Sequence, residues 1–412
     1  IDEKKVKNLN NNIPPIYEES LDSLLKFCNL NNKISFTTDN VEAIQNSELI
    51  IVSVGTPTKS NGEIDLSQIE NVTSNLLSNI NGYKLIVIKS TLPITAVNIM
   101  KEQLSKKYKQ GRDYDIVSNP EFLREGRAVF DFYNPDRIVI GGETKKSIEI
   151  LKNFYSPLIK NKVNVPDEII VNKDDIPIIE TNLPSAQMIK YGSNAFLANK
   201  VSFINEIAQI CEKVGANIND VIYGMGIDPR IGSNYMQPGP GFGGPCLEKD
   251  LMALVELGNF YDLESTFMKA ILKRNERQVE LILDKITSEI KQAGSLITVL
   301  GLSFKANTDD IRNSASIKLI NLLLKKGYKV NSYDPKAKYS LQNENYLQFD
   351  NLYSSLNKSK CAVIMTEWDD FKNLNFIKIS KLMTSNIILD MRNIIDTGNK
   401  NLSDFKYYSL GS

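Results

Sequence analysis

The 412-residue chain contains no histidine. That removes imidazole as a general base, as the partner of a nucleophilic serine or cysteine, and as a metal ligand. Proton transfer must fall to Asp, Glu, Lys, Cys, Tyr or bound water. Net charge is also absent: 49 Lys+Arg balance 49 Asp+Glu, so nothing global points to nucleic acid or an anionic membrane. No apolar stretch reaches the roughly 18–20 residues of a membrane helix. The amino terminus, IDEKKVKNLN, has no apolar segment of the kind a signal peptide needs. Four cysteines (Cys28, Cys211, Cys246, Cys361) lie far apart without paired spacing, which argues against a disulfide framework or a zinc knuckle. The expectation is a cytoplasmic protein that holds no metal and binds a small molecule.

What is present is rhythm. The runs ELIIVSVGTP (48–57), YKLIVIKSTLP (83–93) and DYDIVSNPEF (113–122) are β-branched and close on Gly, Pro, Ser or Thr. Helical patterns such as DLSQIENVTSNLLSNI (65–80) alternate with them. This alternation predicts a parallel sheet covered by helices, with ligands at the carboxyl ends of the strands. From about 184 the apolar spacing turns helical (Val201, Ile204, Ile207, Ala208, Cys211), as one long helix or a closely kinked pair ended by Gly215. Further helical sequence follows in LMALVELG and FMKAILKRNERQVELILDKI. The strand–helix rhythm restarts at LITVLGLSF (296–304) and continues through YKVNSYDP, CAVIMTEW and NIILDMRN. The fold class is α/β: two Rossmann-like doubly wound parallel-sheet domains joined by a helical central domain with a long helix. The expected boundaries are 1–180, 181–290 and 291–412.

A dinucleotide-binding domain usually opens on a strand, a G-x-G-x-x-G turn and a second strand ending in an acid. No such unit opens this chain, which reads as starting in the helix after that second strand. The expectation is that the first βαβ unit is missing, that the chain as given binds a dinucleotide poorly, and that it is less stable for the gap.

The stretch GFGGPCLEKD (241–250) poses the chemical question. Most lone cysteines are small apolar filler. Pro245 suits the first turn of a helix, which would put Cys246 at a helix N-terminus where unpaired N–H groups favour a thiolate. Asp250 would then fall one turn away on the same face. Glycines 241, 243 and 244 would keep side chains clear of a ligand and permit unusual dihedrals. Lys190 and Asn194 are four apart on a predicted helix, and Glu121 and Glu125 have the same spacing after a strand exit; each pair would share a face.

Together VGTPTKSNGEIDLSQIE (54–70), KSTLP (89–93), SNPEFLREGRAVFDFYNPDRIVIGG (118–142), KYGSNAFLANKVSFINEIAQICEKVGA (190–216), DPRIGSNY (228–235), GPGFGGPCLEKD (239–250) and GLSFKANTDDIR (301–312) resemble the UDP-glucose dehydrogenase family, within the UDP-glucose/GDP-mannose dehydrogenase group. The resemblance spans nearly the whole chain. It implies an NAD-dependent enzyme that oxidises C6 of a UDP-sugar twice through a cysteine thiohemiacetal and thioester. It makes Cys246 the nucleophile. Lys190 handles a proton or stabilises charge, Asn194 donates to an oxyanion, and Asp250, Thr91 and Glu125 handle water, with Glu121 near the thioester. The nucleotide-sugar would meet Glu121, Phe122, Leu123, Lys190, Asn194, Tyr235, Gly241, Phe304, Lys305 and Arg392. Arg230 would reach a partner subunit's substrate, which implies a homodimer or higher oligomer. NAD would meet Thr56, Ser90, Thr91, Glu125, Lys249 and Arg312, with Lys5 near the adenosine end. Two stretches depart from the family pattern: Glu248 replaces a usual proline, and Asn313-Ser314-Ala315 replaces Glu-Ser-Pro. The alternatives are a dehydrogenase of GDP-mannose or another nucleotide-sugar, and a catalytically impaired fragment that only binds one. The retained set of Cys, Lys, Asn, Asp and two Glu argues against the last.

Overall fold

A computed structural model describes residues 2–57, 65–172 and 175–411. Residues 58–64 of the VGTPTKSNGEIDLSQIE stretch lie outside the described residues. The chain divides into two compact units, Ile1–Ser193 with Met252–Asp262, and Asn194–Leu251 with Leu263–Ser412.

The first unit carries α1 (Glu3–Asn10), α2 (Leu21–Leu30), α3 (Asn40–Gln45), β1 (Leu49–Val52), α4 (Ser67–Asn79), β2 (Lys84–Ile88), α5 (Ile94–Ser105), β3 (Tyr114–Ser118), α6 (Ala128–Tyr133), β4 (Ile138–Gly142), α7 (Lys145–Ile159) and β5 (Ile178–Thr181). The strands form one sheet in the order β1-β2-β3-β4-β5. KLIVI of β2 is buried at every position, because both faces are covered. Ile86 and Ile88 pack with Leu76 of α4 and Met100 of α5. The alternate residues Leu85 and Val87 pack with Leu151 and Tyr155 of α7. The all-parallel expectation needs one correction: β3 and β4 pair antiparallel, Val117 opposite Gly142. The connection between them, residues 119–137 with the six-residue α6, turns back along β3 rather than crossing over the sheet.

Helix α8 (Leu183–Val214) is a single 32-residue helix, not a kinked pair, and stops at Gly215 with φ +73°. The boundary between units falls within it and again within α10 (below). The second unit continues with α9 (Ile218–Gly226), α10 (Leu247–Phe260), α11 (Thr266–Glu289), β6 (Leu296–Leu300), α12 (Ala315–Lys325), β7 (Lys329–Tyr333), β8 (Tyr346–Phe349), α13 (Leu352–Ser355), β9 (Cys361–Ile364), α14 (Asp369–Lys372), α15 (Phe376–Leu382), β10 (Ile387–Asp390) and β11 (Lys406–Ser409). Its six strands are parallel throughout, in the order β11-β10-β9-β6-β7-β8. Cys361 and Val363 of β9 face the core that α11 and α12 close. Ala362 and Ile364 face the core built on Trp368 and Phe371. Both units are thus helix-covered α/β sheets whose central strands end in turns, the place where such sheets hold ligands.

Candidate active site

In the first unit the candidate residues sit where three neighbouring parallel strands end. After β1, the buried Thr56 donates its hydroxyl to the Thr91 carbonyl at 3.4 Å. After β2, Ser90 Oγ donates to Val54 O at 2.6 Å. The loop is tied down by Gln187 of α8, whose Nε2 donates to Leu92 O at 3.2 Å. These contacts bring Thr56, Ser90 and Thr91 together. After β3, Glu121 accepts from Lys190 Nζ at 3.0 Å on one oxygen and from the Leu123 amide at 2.5 Å on the other. Lys190 is 5% exposed at its side chain. A buried ammonium needs such a partner. Its Nζ also stands 5.3 Å from the centre of the Phe122 ring, whose face Arg137 covers with Cζ at 3.7 Å.

Glu121 and Glu125 do not share a helical face. Both lie in the loop that precedes α6, so the four-residue spacing has no geometric meaning there. That loop is held by two carboxylates the sequence reading passed over. Asp131 takes the Arg124 amide at 2.9 Å and its guanidinium at 2.6 Å. Glu18, from far upstream, accepts from the amides of Gly126 at 2.8 Å and Ala128 at 2.6 Å. Lys5 is exposed on α1, remote in sequence from these strand ends, with its amide capped by Asp2 at 2.9 Å.

In the second unit Cys246 is exposed and directly precedes α10. Its carbonyl accepts from the Asp250 amide at 2.9 Å, the first turn of that helix. Pro245 therefore stands one residue outside the helix, not in its first turn. Cys246 takes the N-cap position, at the positive end of the helix dipole. Asp250 is buried, and its Oδ2 accepts from Asn194 Nδ2 at 2.6 Å. Its Oδ1 lies 3.2 Å from Lys249 Nζ but makes no geometrically sound hydrogen bond. Lys190 and Asn194, one turn apart on α8, thus each engage a carboxylate.

The loop before Cys246 is packed against protein, and two of its glycines hold the unusual dihedrals expected of them. A Cβ on Gly241 (φ +103°) would meet Asn275 Oδ1 at 2.6 Å. On Gly243 it would meet the Asn313 carbonyl at 2.7 Å, and on Gly244 (φ +79°) the Phe304 ring at 2.9 Å. Arg392 donates to Met365 O at 3.0 Å and Phe304 O at 3.2 Å, and its Nη1 lies 3.2 Å from the Cβ position of Gly239. The loop, Phe304 and Arg392 are accordingly gathered in one place, with Lys305 beside Phe304. Arg312 pairs with Asp310, its Nε donating at 2.7 Å. Arg230 is exposed and pairs with Asp228 at 2.6 Å, and Tyr235 is exposed with φ 62°. Of the other cysteines, Cys211 and Cys361 are buried and Cys28 is partly buried.

Three family models match the chain in succession: the UDP-glucose/GDP-mannose dehydrogenase family NAD binding domain over residues 1–159, its central domain over 184–277 and its UDP binding domain over 298–397. The chain belongs to this family. It is 40% identical over 417 residues to a UDP-glucose 6-dehydrogenase of Rickettsia felis, matching 100% of this chain and 90% of that protein. It is 36% identical over 415 residues to the UDP-glucose 6-dehydrogenase TuaD of Bacillus subtilis, across 100% of this chain and 87% of the other. The solved UDP-glucose dehydrogenase of Pyrobaculum islandicum superposes with a TM-score of 0.87 at 29% identity, over 99% of this chain and 90% of that one. The protein is an NAD-dependent nucleotide-sugar dehydrogenase. Among the described residues no helix is long and apolar enough to cross a membrane.

The residues at the strand exits fit one end of a dinucleotide. Thr56, Ser90 and Thr91 lie at the carboxyl ends of adjacent parallel strands, where such sheets hold ligands, with Ser90 tied to Val52 O through its amide at 3.1 Å and to Val54 O through its hydroxyl at 2.6 Å.

Proposed function

We infer that the protein oxidises C6 of UDP-glucose twice, yielding UDP-glucuronate, with Cys246 carrying the intermediate as a thioester. One observation carries this reading: an exposed cysteine at the N-cap of α10, one turn before a buried aspartate held by Asn194. A packing cysteine belongs among hydrocarbons, as Cys211 and Cys361 are. The choice of sugar rests on the relatives. Those named UDP-glucose 6-dehydrogenase are 40% and 36% identical, whereas a solved UDP-D-ManNAc dehydrogenase from Pyrococcus horikoshii is 26% identical.

Bound NAD supplies the acceptor for each pair of electrons, and Thr56, Ser90, Thr91 and Glu125 are the first unit's candidates to hold it. Lys5, Lys249 and Arg312 keep that assignment on the family resemblance. In the first unit Lys190 receives the alcohol proton or steadies the charge left on oxygen, with Glu121 as its counter-ion. In the second unit the Cys246 thiolate adds to the aldehyde carbon, forming a C–S bond while the carbonyl oxygen takes a proton. Asn194 donates a hydrogen bond to that oxygen as it gains charge. Loss of a second hydride and a proton leaves a thioester. Water then breaks the C–S bond, giving the carboxylate and returning the thiolate. Asp250, Thr91 and Glu125 are assigned to that water. The covalent link keeps the aldehyde from escaping between oxidations. Phe122, Leu123, Tyr235, Gly241, Phe304, Lys305 and Arg392 are assigned to the nucleotide-sugar.

The division expected from the sequence is retained as part of this reading: an NAD-binding domain over 1–180, a helical domain over 181–290 and a UDP-sugar domain over 291–412. So are a cytoplasmic location and a homodimer or larger assembly in which Arg230 serves a neighbouring subunit. Supporting the assembly, Phe196, Phe203 and Ile210 are exposed at seven-residue intervals along α8, a stripe that a second copy would cover.

The test is the stoichiometry of NADH formed from UDP-glucose by the native chain. Two NADH per sugar are expected, with turnover abolished in Cys246→Ser. One NADH per sugar, or an active Cys246→Ser enzyme, contradicts the thioester. No NADH from UDP-glucose but production from another nucleotide-sugar contradicts the substrate.

A further inference from the structure

A second lysine lies beside the Glu121–Lys190 pair, at the point where β2 ends. Lys89 follows Ile88, and its Nζ donates to Asn119 Oδ1 at 3.0 Å and to the Tyr155 hydroxyl at 3.2 Å. That hydroxyl in turn donates to the same Asn119 oxygen at 2.6 Å. The Asn119 amide nitrogen is committed to Val139 O at 2.7 Å, which fixes the oxygen toward Lys89 and Tyr155. Asn119 is buried and Tyr155 nearly so. The amine is therefore anchored on two neutral groups, and among the described residues it has no ion-pair partner within 4.0 Å.

A partly buried ammonium without a carboxylate partner is unfavourable, and a methionine would fill the same space without desolvation loss. Stability gives no reason for a lysine here. The groups that face it do. Besides the Tyr155 hydroxyl, which burial holds up to about 12, the charges acting on Lys89 are Glu121, which attracts it, and Lys190, which repels it.

We propose that Lys89 is a positioning residue for the oxidation, a second cation that makes the Lys89–Glu121–Lys190 cluster net positive and keeps Glu121 from cancelling Lys190. The proposal rests on the second role given to Lys190 above, steadying the charge left on oxygen as an ammonium. With both amines protonated and Glu121 ionised, the formal charges sum to +1; with Lys89 neutral they sum to zero. Lys190 then offers a developing oxyanion a net attraction only in the first state. Burial, the dominant influence, pushes the Lys89 amine down to about 8, so the change of state falls at mildly alkaline pH.

The experiment compares kcat from pH 7 to 10 for wild type, Lys89→Met and Lys89→Arg, alongside carbon-13 NMR titration of the lysine ε-carbons in the full chain. Wild type is expected to lose most of its kcat as pH passes from about 8 to 9.5. Lys89→Arg, whose guanidinium stays charged, is expected to keep its rate across that window. Lys89→Met is expected to be on the order of tenfold slower at pH 7, with no alkaline fall, since one nearby unit charge is worth that much at an interior dielectric. In the spectra one lysine titrates near 8, disappears in Lys89→Met and moves lower still in Glu121→Gln. Superimposable kcat profiles for the three proteins overturn the proposal. So does a Lys89 resonance at the ordinary lysine value, or one indifferent to Glu121→Gln. A wild-type chain inactive on UDP-glucose defeats the functional reading instead, and the titration arm still decides whether the three charges are coupled.

Discussion

The glycine-rich loop yields a prediction that separates two readings of the same residues. If Gly241 were present to make room for a ligand, alanine there would damage binding and leave stability alone. The structure predicts the opposite. At φ +103° an alanine is strained, at a cost of about 1–3 kcal/mol. Its Cβ would also stand 2.6 Å from Asn275 Oδ1, and Asn275 cannot move freely. It is buried, accepts from the Phe242 amide at 2.8 Å and donates to the Phe242 carbonyl at 2.9 Å. Displacing it leaves buried backbone groups unpaired, worth about 1–3 kcal/mol more. Gly241→Ala should therefore lose about 2–6 kcal/mol. Gly232 is the control: its φ is +67° but a Cβ there meets nothing within 4 Å, so Gly232→Ala should lose only about 1 kcal/mol. The chain's one tryptophan, Trp368, lies in the second unit with both glycines, so its fluorescence follows that unit's thermal unfolding. For a unit of this size each kcal/mol moves Tm by about 2–4 °C. A Gly241→Ala protein that melts with the Gly232→Ala control refutes the packing argument and restores the ligand reading.

Lys89 gives a stability test independent of turnover. Its amine holds a proton less tightly in the folded chain, near 8, than at its ordinary 10.5, so the unfolded chain binds the extra proton between those values. Stability should rise with pH across that window by roughly 3 kcal/mol relative to Lys89→Met, measured by calorimetry at pH 7 and pH 10.5; equal slopes refute the burial argument. On α8, Phe203→Asp places a charge in the exposed stripe and should convert a sedimenting dimer to monomer, while a wild type that is already monomeric removes that face as an interface. Iodoacetamide at neutral pH should modify Cys246 first and the partly buried Cys28 next. Cys211 should react only after unfolding, as should Cys361, whose thiol burial pushes well up. Peptide mapping that finds either buried cysteine labelled before Cys246 contradicts the placement of the nucleophile.

Several elements were legible because their signal is local. KLIVI reads as a doubly covered strand since every residue is apolar or has an apolar stem. The long helix α8 is legible from apolar residues at a helical period and a closing glycine. Cys246 stood out because Gly-Gly-Pro before it and charge after it mark a helix start. Other features depend on partners distant in sequence. IVIGG reads as a strand in either direction, and nothing within the run says that it pairs antiparallel with β3. Glu18 holds the loop at Gly126 and Ala128 from 108 and 110 residues away. Lys89 was visible as the last residue of an apolar run, but Asn119 and Tyr155, its anchors, lie 30 and 66 residues on. The loop glycines were recognised as necessary, yet what occupies the missing Cβ positions belongs to α11 and the 304–313 segment, which no local pattern names.

The absence of histidine acquires a physical consequence once these contacts are known. Imidazole changes charge near neutrality without help. Amines and carboxylates do so only when burial or neighbouring charge moves them there. The first unit contains such a case in Lys89, pushed down to about 8 chiefly by burial, with Lys190 adding to the shift and Glu121 opposing it. In the second, Asp250 is buried with one oxygen bonded to Asn194 at 2.6 Å and the other facing the Lys249 ammonium at 3.2 Å. An amide and an ammonium thus stand in for the water that burial removes from this carboxylate, and no imidazole is needed to hold it one turn from Cys246.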